Sequence, residues 1–181
     1  MLIRKSHLAK AFNEADLVTS LRVIGASISP VLWTKEKGEI QVFLSHCHSE
    51  RDVLRNAMAI LSSVDARLYI DWQDAKMHSA TSGQSAMRIR SKISESDKFI
   101  LVASVGAIAS KWCNWELGIA DARKFPSDIA LLPVAEDNGT WNGAEYLQIY
   151  AHIETRYDSI TGDYYVVADD TEIPLAQWIR S

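Results

Sequence analysis

The sequence predicts an α/β fold: a five-stranded parallel sheet with helices on both faces, in a flavodoxin-like arrangement, behind an N-terminal helical extension. Three observations carry this. From Ile40 onward, short apolar runs alternate with segments of helical periodicity. The runs are continuous in Val, Ile, Leu and Phe, as in strands covered on both faces. At 181 residues, the chain suits one domain burying roughly 70% of its unfolded surface.

The elements follow in order. Residues 1 to 33 carry Leu8, Phe12, Ala15, Leu21 and Ile24 at helical spacing, until Pro30 and Thr34-Lys-Glu-Lys-Gly38 break the pattern. Residues 1–38 therefore read as a helical extension with a linker, a candidate subunit contact, and 39–181 as the main domain. Ile40 to Ser45 is the first strand of that domain. A helix follows from Glu50 to Val64, with Val53, Leu54, Ala57, Ile60 and Leu61 on its apolar stripe. Arg67 to Asp71 is the second strand, a polar loop runs from Trp72 to Gly83, and the next helix carries Met87, Ile89 and Ile93. Phe99 to Ser104 is the third strand. Ser110 caps a helix running to Arg123, with Pro126 beyond its end. Ile129 to Val134 is the fourth strand, expected to be short or broken because Pro133 removes a ladder donor. A short helix is expected at Tyr146–Ile153, a fifth strand at Tyr164–Ala168, and a last helix opened by Pro174 and holding Leu175, Trp178 and Ile179.

Composition excludes several classes. A net charge of −4 argues against non-specific nucleic-acid binding, which needs a basic surface. Two cysteines, Cys47 and Cys113, provide no disulfide framework, so a reducing cytoplasm is expected. Charged residues interrupt the first segment, leaving no signal-peptide core, and no apolar run reaches membrane-spanning length.

In an open parallel sheet, ligands sit beyond the carboxyl ends of the strands. That rule gathers Ser45 and His46 from the first strand, Asp71 and Trp72 from the second, and Ser104 from the third. Glu116 joins them. At about 100° per residue, Asn114, Gly118 and Asp121 form the polar face of its helix, while Glu116 points among Trp112, Trp115, Ile119 and Ala120. No basic residue lies three or four positions away to pair with it. A desolvated lone carboxylate is costly and is often functional; the structural alternative is a rim glutamate meeting an arginine from another element.

Familiar sites are missing. No G-x-G-x-x-G, G-x-x-x-x-G-K-[ST] or G-x-S-x-G occurs. His46-Cys47-His48 invites a metal, but adjacent residues on an extended segment point to opposite sides and no second ligand pair at zinc spacing follows, so none is expected. Nothing in that segment would activate the Cys47 thiol as a nucleophile. Asp71 as a phosphoacceptor would want an acidic pair after the first strand, where Ser45-His46-Cys47-His48 stands.

Four stretches together carry a family likeness. Val42-Phe-Leu-Ser-His46 with Ser49-Glu-Arg-Asp52, Leu68-Tyr-Ile-Asp-Trp72 with its polar loop, Ile89 to Ser104, and Ser110-Lys-Trp-Cys-Asn-Trp-Glu-Leu117 resemble the TIR (Toll/interleukin-1 receptor) domain. The last is similar to the bacterial S-x-W-C-x-x-E-L signature. The likeness covers residues 39–181. It implies an enzyme that cleaves NAD+ between nicotinamide and ribose, with Glu116 as the catalytic carboxylate and NAD+ as substrate rather than cofactor. The W-x-x-x-E pair of Trp112 and Glu116 resembles the feature that accompanies cyclic ADP-ribose products. Ser45, His46, Asp71 and Trp72 are the remaining expected substrate-binding residues, with Trp115 assigned to the core. Leu44 replaces the usual aromatic or isoleucine, and the loop after Trp72 lacks the proline of adaptor-type members. His78 to Ser82 reads as a solvated loop, and Arg88, Arg90 and Lys92 as a solvated helix face.

The resemblance further implies homo-oligomers through TIR–TIR contacts. Small size with no attached effector domain favours a diffusible nucleotide signal read by a separate effector protein, as in Thoeris-like antiphage defence. The alternatives are a non-catalytic TIR–TIR signalling module and an effector that interferes with host TIR signalling.

Overall fold

The computed structural model describes residues 1–6, 8–9, 38–61, 64, 67–71, 83–156 and 163–181. Its strands are β1 (Ile3–Arg4), β2 (Gln41–Ser45), β3 (Arg67–Tyr69), β4 (Lys98–Ala103), β5 (Ile129–Ala135), β6 (Ala151–Thr155), β7 (Tyr164–Ala168) and β8 (Thr171–Pro174). The helices are α1 (Arg51–Leu61), α2 (Gly83–Glu95), α3 (Val105–Ala109), α4 (Lys111–Arg123) and α5 (Leu175–Arg180). One eight-stranded sheet runs β3-β2-β4-β5-β6-β7-β8, with β1 paired to β5. The β3-β2-β4-β5-β6 stretch is parallel throughout. This is the flavodoxin-like order, whose switch point lies between β2 and β4.

Strand alternation divides the core between two faces. Val42, Leu44, Ile100, Val102, Ala130, Leu132 and Val134 pack on one side with Leu54, Ala57 and Leu61 of α1 and with Trp178 and Ile179 of α5. Phe43, Tyr69, Phe99, Leu101, Ile129 and Leu131 pack on the other with Ile89 and Ile93 of α2 and with Leu117 and Ala120 of α4. Phe43 stacks between Tyr69 at 5.4 Å and Phe99 at 5.6 Å. Both helix layers anchor on β2, β4 and β5, whose residues are all buried. That explains the continuous apolar runs.

Four expectations need correction. Tyr146–Ile153 is not a helix: Glu145–Ile149 is a 3-10 turn, and Ala151–Thr155 is a parallel strand. Its burial alternates along the strand, a period that a segment this short does not separate from helical spacing. Tyr164–Ala168 is a strand, but antiparallel, in a meander with β6 and β8. Pro133 does not break β5, which continues to Ala135. On the β6 side, pairing stops at Leu131 and resumes with β1 at Val134, so Pro133 falls in the gap. The expected helical character of residues 1–33 does not hold for Ile3–Arg4, a strand on β5. Met1 carbonyl accepts from Thr155 N at 3.0 Å, and Lys5 pairs with Glu136 at 2.7 Å. Leu8 is buried in the α1-side core. Residues 10–37, with Phe12, Ala15, Leu21 and Ile24, lie outside the described residues.

Phe43 is 1% exposed and bridges two rings, so truncation leaves a cavity that close-packed neighbours fill poorly. Phe43→Ala is expected to lower unfolding free energy by about 3–5 kcal/mol, measured by urea denaturation. A loss below about 1 kcal/mol would contradict this packing.

Candidate active site

Helix α4 places the central residue. Ser110 caps it, its hydroxyl accepting from Cys113 N at 3.3 Å. The buried stripe is Cys113, Glu116, Leu117 and Ala120, so Glu116 lies in the middle of the face turned to the sheet. Across from it, Ser45 ends β2. Its hydroxyl donates to Glu116 Oε2 at 2.5 Å, and the two residues are 1% and 2% exposed. No arginine meets the carboxylate: among the described residues, its charge environment is dominated by burial and by Asp71.

Burial, and after it the Asp71 charge, push the Glu116 carboxyl up to about 8. The Ser45 hydroxyl and the nearby Trp112 indole N–H oppose this shift. That indole nitrogen is buried and falls short of a full hydrogen bond to any described residue. Trp112 borders the α4 side of the core and stacks at 4.9 Å on Trp115. Trp115, expected in the core, is 37% exposed. Its position on the flank of the stripe rotates it away from the sheet.

Asp71 follows β3 and is buried. Its Oδ2 lies 2.8 Å from His48 Nε2, and its Oδ1 lies 4.0 Å from His46 Nε2. His46 is buried, with Nδ1 3.2 Å from the Leu44 carbonyl, which fixes Nδ1 as the protonated nitrogen. Burial lowers the His46 pKa, with Asp71 opposing. His48 shifts the other way, raised mainly by its hydrogen bond to Asp71. His46 and His48 are two residues apart, so both rings turn toward Asp71, with centroids 5.2 Å apart. Alternation sets Cys47 aside from its neighbours but puts His46 and His48, two positions apart, on the side where Asp71 follows the neighbouring strand.

The cysteines and Ser104 are otherwise engaged. Burial pushes the Cys113 thiol up to about 12, and its Sγ donates to the His46 carbonyl at 3.2 Å. Cys47 Sγ contacts Ser49 Oγ at 3.2 Å. Ser104 caps α3 and donates to Glu50, so it serves the backbone rather than the cleft. Ser45, His46, Asp71 and Glu116 thus meet at the switch point, with Trp112 at their border. Trp72 and the His78–Ser82 segment lie outside the described residues.

A parallel sheet in this strand order, with a buried acid beside its carboxyl edge, defines an α/β domain of the doubly wound class. A family model described as a TIR domain matches residues 42–161, and the chain belongs to the TIR domain family. No curated protein sequence matches the chain. TIR domains commonly self-associate and bind NAD+, and some cleave it. Among the described residues, no helix is long and apolar enough to cross a membrane.

Because folding raises the Glu116 pKa from 4.5 to about 8, its protonated form stabilises the fold below pH 4.5, and this contribution is lost as pH rises through about 8. Glu116→Gln keeps an uncharged group there. Its stability advantage over the parent is expected to grow from pH 5 to about 8, reaching a few kcal/mol. Denaturant midpoints for both proteins across that range check this; a gap that stays constant would contradict it.

Proposed function

We propose that this protein cleaves the nicotinamide–ribose bond of NAD+, releasing nicotinamide and either ADP-ribose or a cyclic isomer. The observation that carries this is the buried Glu116 carboxyl held by Ser45 at the sheet's switch point. Family membership supports it. In the reaction, the C–N electron pair leaves with nicotinamide, which becomes neutral and needs no protonation. Positive charge develops on the ribose, as in glycoside hydrolysis. An ionised Glu116 would stabilise that charge in a cleft of low dielectric. The cationic nicotinamide ring would itself favour ionisation of this acid, countering the burial that holds it protonated. Ser45 fixes the carboxylate's orientation.

Water attacking the ribose carbon gives ADP-ribose and a proton; an adenine nitrogen attacking instead gives a cyclic isomer. Trp112 would form the wall that holds the adenine folded back. His46 and Asp71, with Trp72, would line the rest of the substrate site. The product would serve as a signal to a separate effector protein, in antiphage defence.

A non-catalytic assembly module is the second reading, favoured by one observation: Glu116 is only 2% exposed. On the catalytic reading, the cleft opens for substrate, and assembly of subunits would supply that opening.

Incubation with NAD+ over a range of protein concentrations, with products separated by chromatography and mass detection, tests both. Nicotinamide release that falls at least ~100-fold in Glu116→Gln is expected. Trp112→Ala should shift products from cyclic to linear. A Glu116→Gln protein as active as its parent would sink the assignment, and no release at any concentration would favour the assembly module.

A further inference from the structure

We propose that His46 Nε2, His48 Nε2 and the Asp71 carboxylate form a binding site for a divalent ion of the zinc class. The inference stands independently of NAD+ cleavage. Their donor atoms all lie within 4.8 Å of one another. Donors around a tetrahedral zinc ion, with bonds of about 2.0–2.2 Å, stand roughly 3.3–3.5 Å apart. The 2.8 Å and 4.0 Å separations bracket that spacing. His48, with 55% of its side chain exposed, has room for the small adjustment.

An ion pair between His48 and Asp71 accounts for only part of the arrangement. It leaves His46 unexplained. Nδ1–H donates to the Leu44 carbonyl, so neutral His46 presents a bare Nε2 lone pair. That nitrogen is buried, has no hydrogen-bond partner among the described residues, and faces a carboxylate oxygen at 4.0 Å. The His46 acceptor is left without a donor among the described residues, in a place where an unmet polar atom costs about 1–3 kcal/mol. A cation resolves this. A ring held by Nδ1–H to a backbone carbonyl, with Nε2 aimed inward, is also how histidine ligands are oriented around metals. Two nitrogens and one carboxylate suit zinc and its transition-metal neighbours rather than calcium or magnesium, which take oxygen. Three protein ligands leave a fourth position for water or an anionic group.

The test is titration of the untagged full chain with zinc chloride by calorimetry, and with cobalt(II) followed by visible absorption. One ion per chain, at micromolar affinity or tighter, is expected, with tetrahedral-type cobalt absorption that zinc abolishes. His48→Gln changes a half-exposed side chain, so its circular dichroism should match the parent while its zinc affinity falls at least ~10-fold. Asp71→Asn provides a second variant with the same expected loss. Absence of zinc binding, or His48→Gln and Asp71→Asn proteins that bind as tightly as the parent, would overturn the site.

Discussion

Burial of the central strands on both faces is the constraint from which the other features follow. Every residue of β2, β4 and β5 is buried, and helices close both sides. A polar side chain within such a strand would lose its hydration without gaining a partner. Polar chemistry is thereby pushed to the carboxyl ends of the strands, where β2 and β3 finish as parallel neighbours. Ser45, His46 and Asp71 occupy those ends. The flavodoxin-like order then opens the crevice between β2 and β4.

Glu116 shows what that crevice costs. It takes a position in the buried stripe of α4 that an apolar residue would fill more favourably. One hydrogen bond from Ser45 offsets part of the desolvation, while Asp71 works against it. Neither removes the shift. The neighbouring His46 is biased toward neutrality and His48 toward protonation, although only one residue separates them. Burial explains the first and contact with Asp71 the second. The site is therefore a set of neighbouring groups in low dielectric, where a change of charge on one is felt by the others.

Much of this was legible in the sequence. The apolar runs Ile40–Ser45, Phe99–Ser104 and Ile129–Val134 fall on β2, β4 and β5, and the helical stripes around Leu54, Ile89 and Leu117 are helices. Glu116 was visible as a carboxylate on an apolar face, and the strand-end rule collected Ser45, His46 and Asp71 around it. Elsewhere, local pattern misled. Ala151–Thr155 is too short for its period to be read, and its strand character comes from pairing with β5 and β7. Trp115 has the composition of a core residue but lies on the exposed flank of its helix.

The sequence by itself determined which segments are apolar on both faces, and hence an α/β sheet with a polar carboxyl edge. It also placed there a carboxylate with no basic neighbour along its own helix, since periodicity and spacing are local properties. Tertiary structure alone decided the rest: that Ile3–Arg4 completes β5, that Pro133 falls in a gap of the ladder, and that Ser45 bonds Glu116. It also decided that His46, His48 and Asp71 converge, though His48 and Asp71 lie 23 positions apart. Those contacts depend on which strands become neighbours, a choice made by packing across the whole sheet rather than by any one segment.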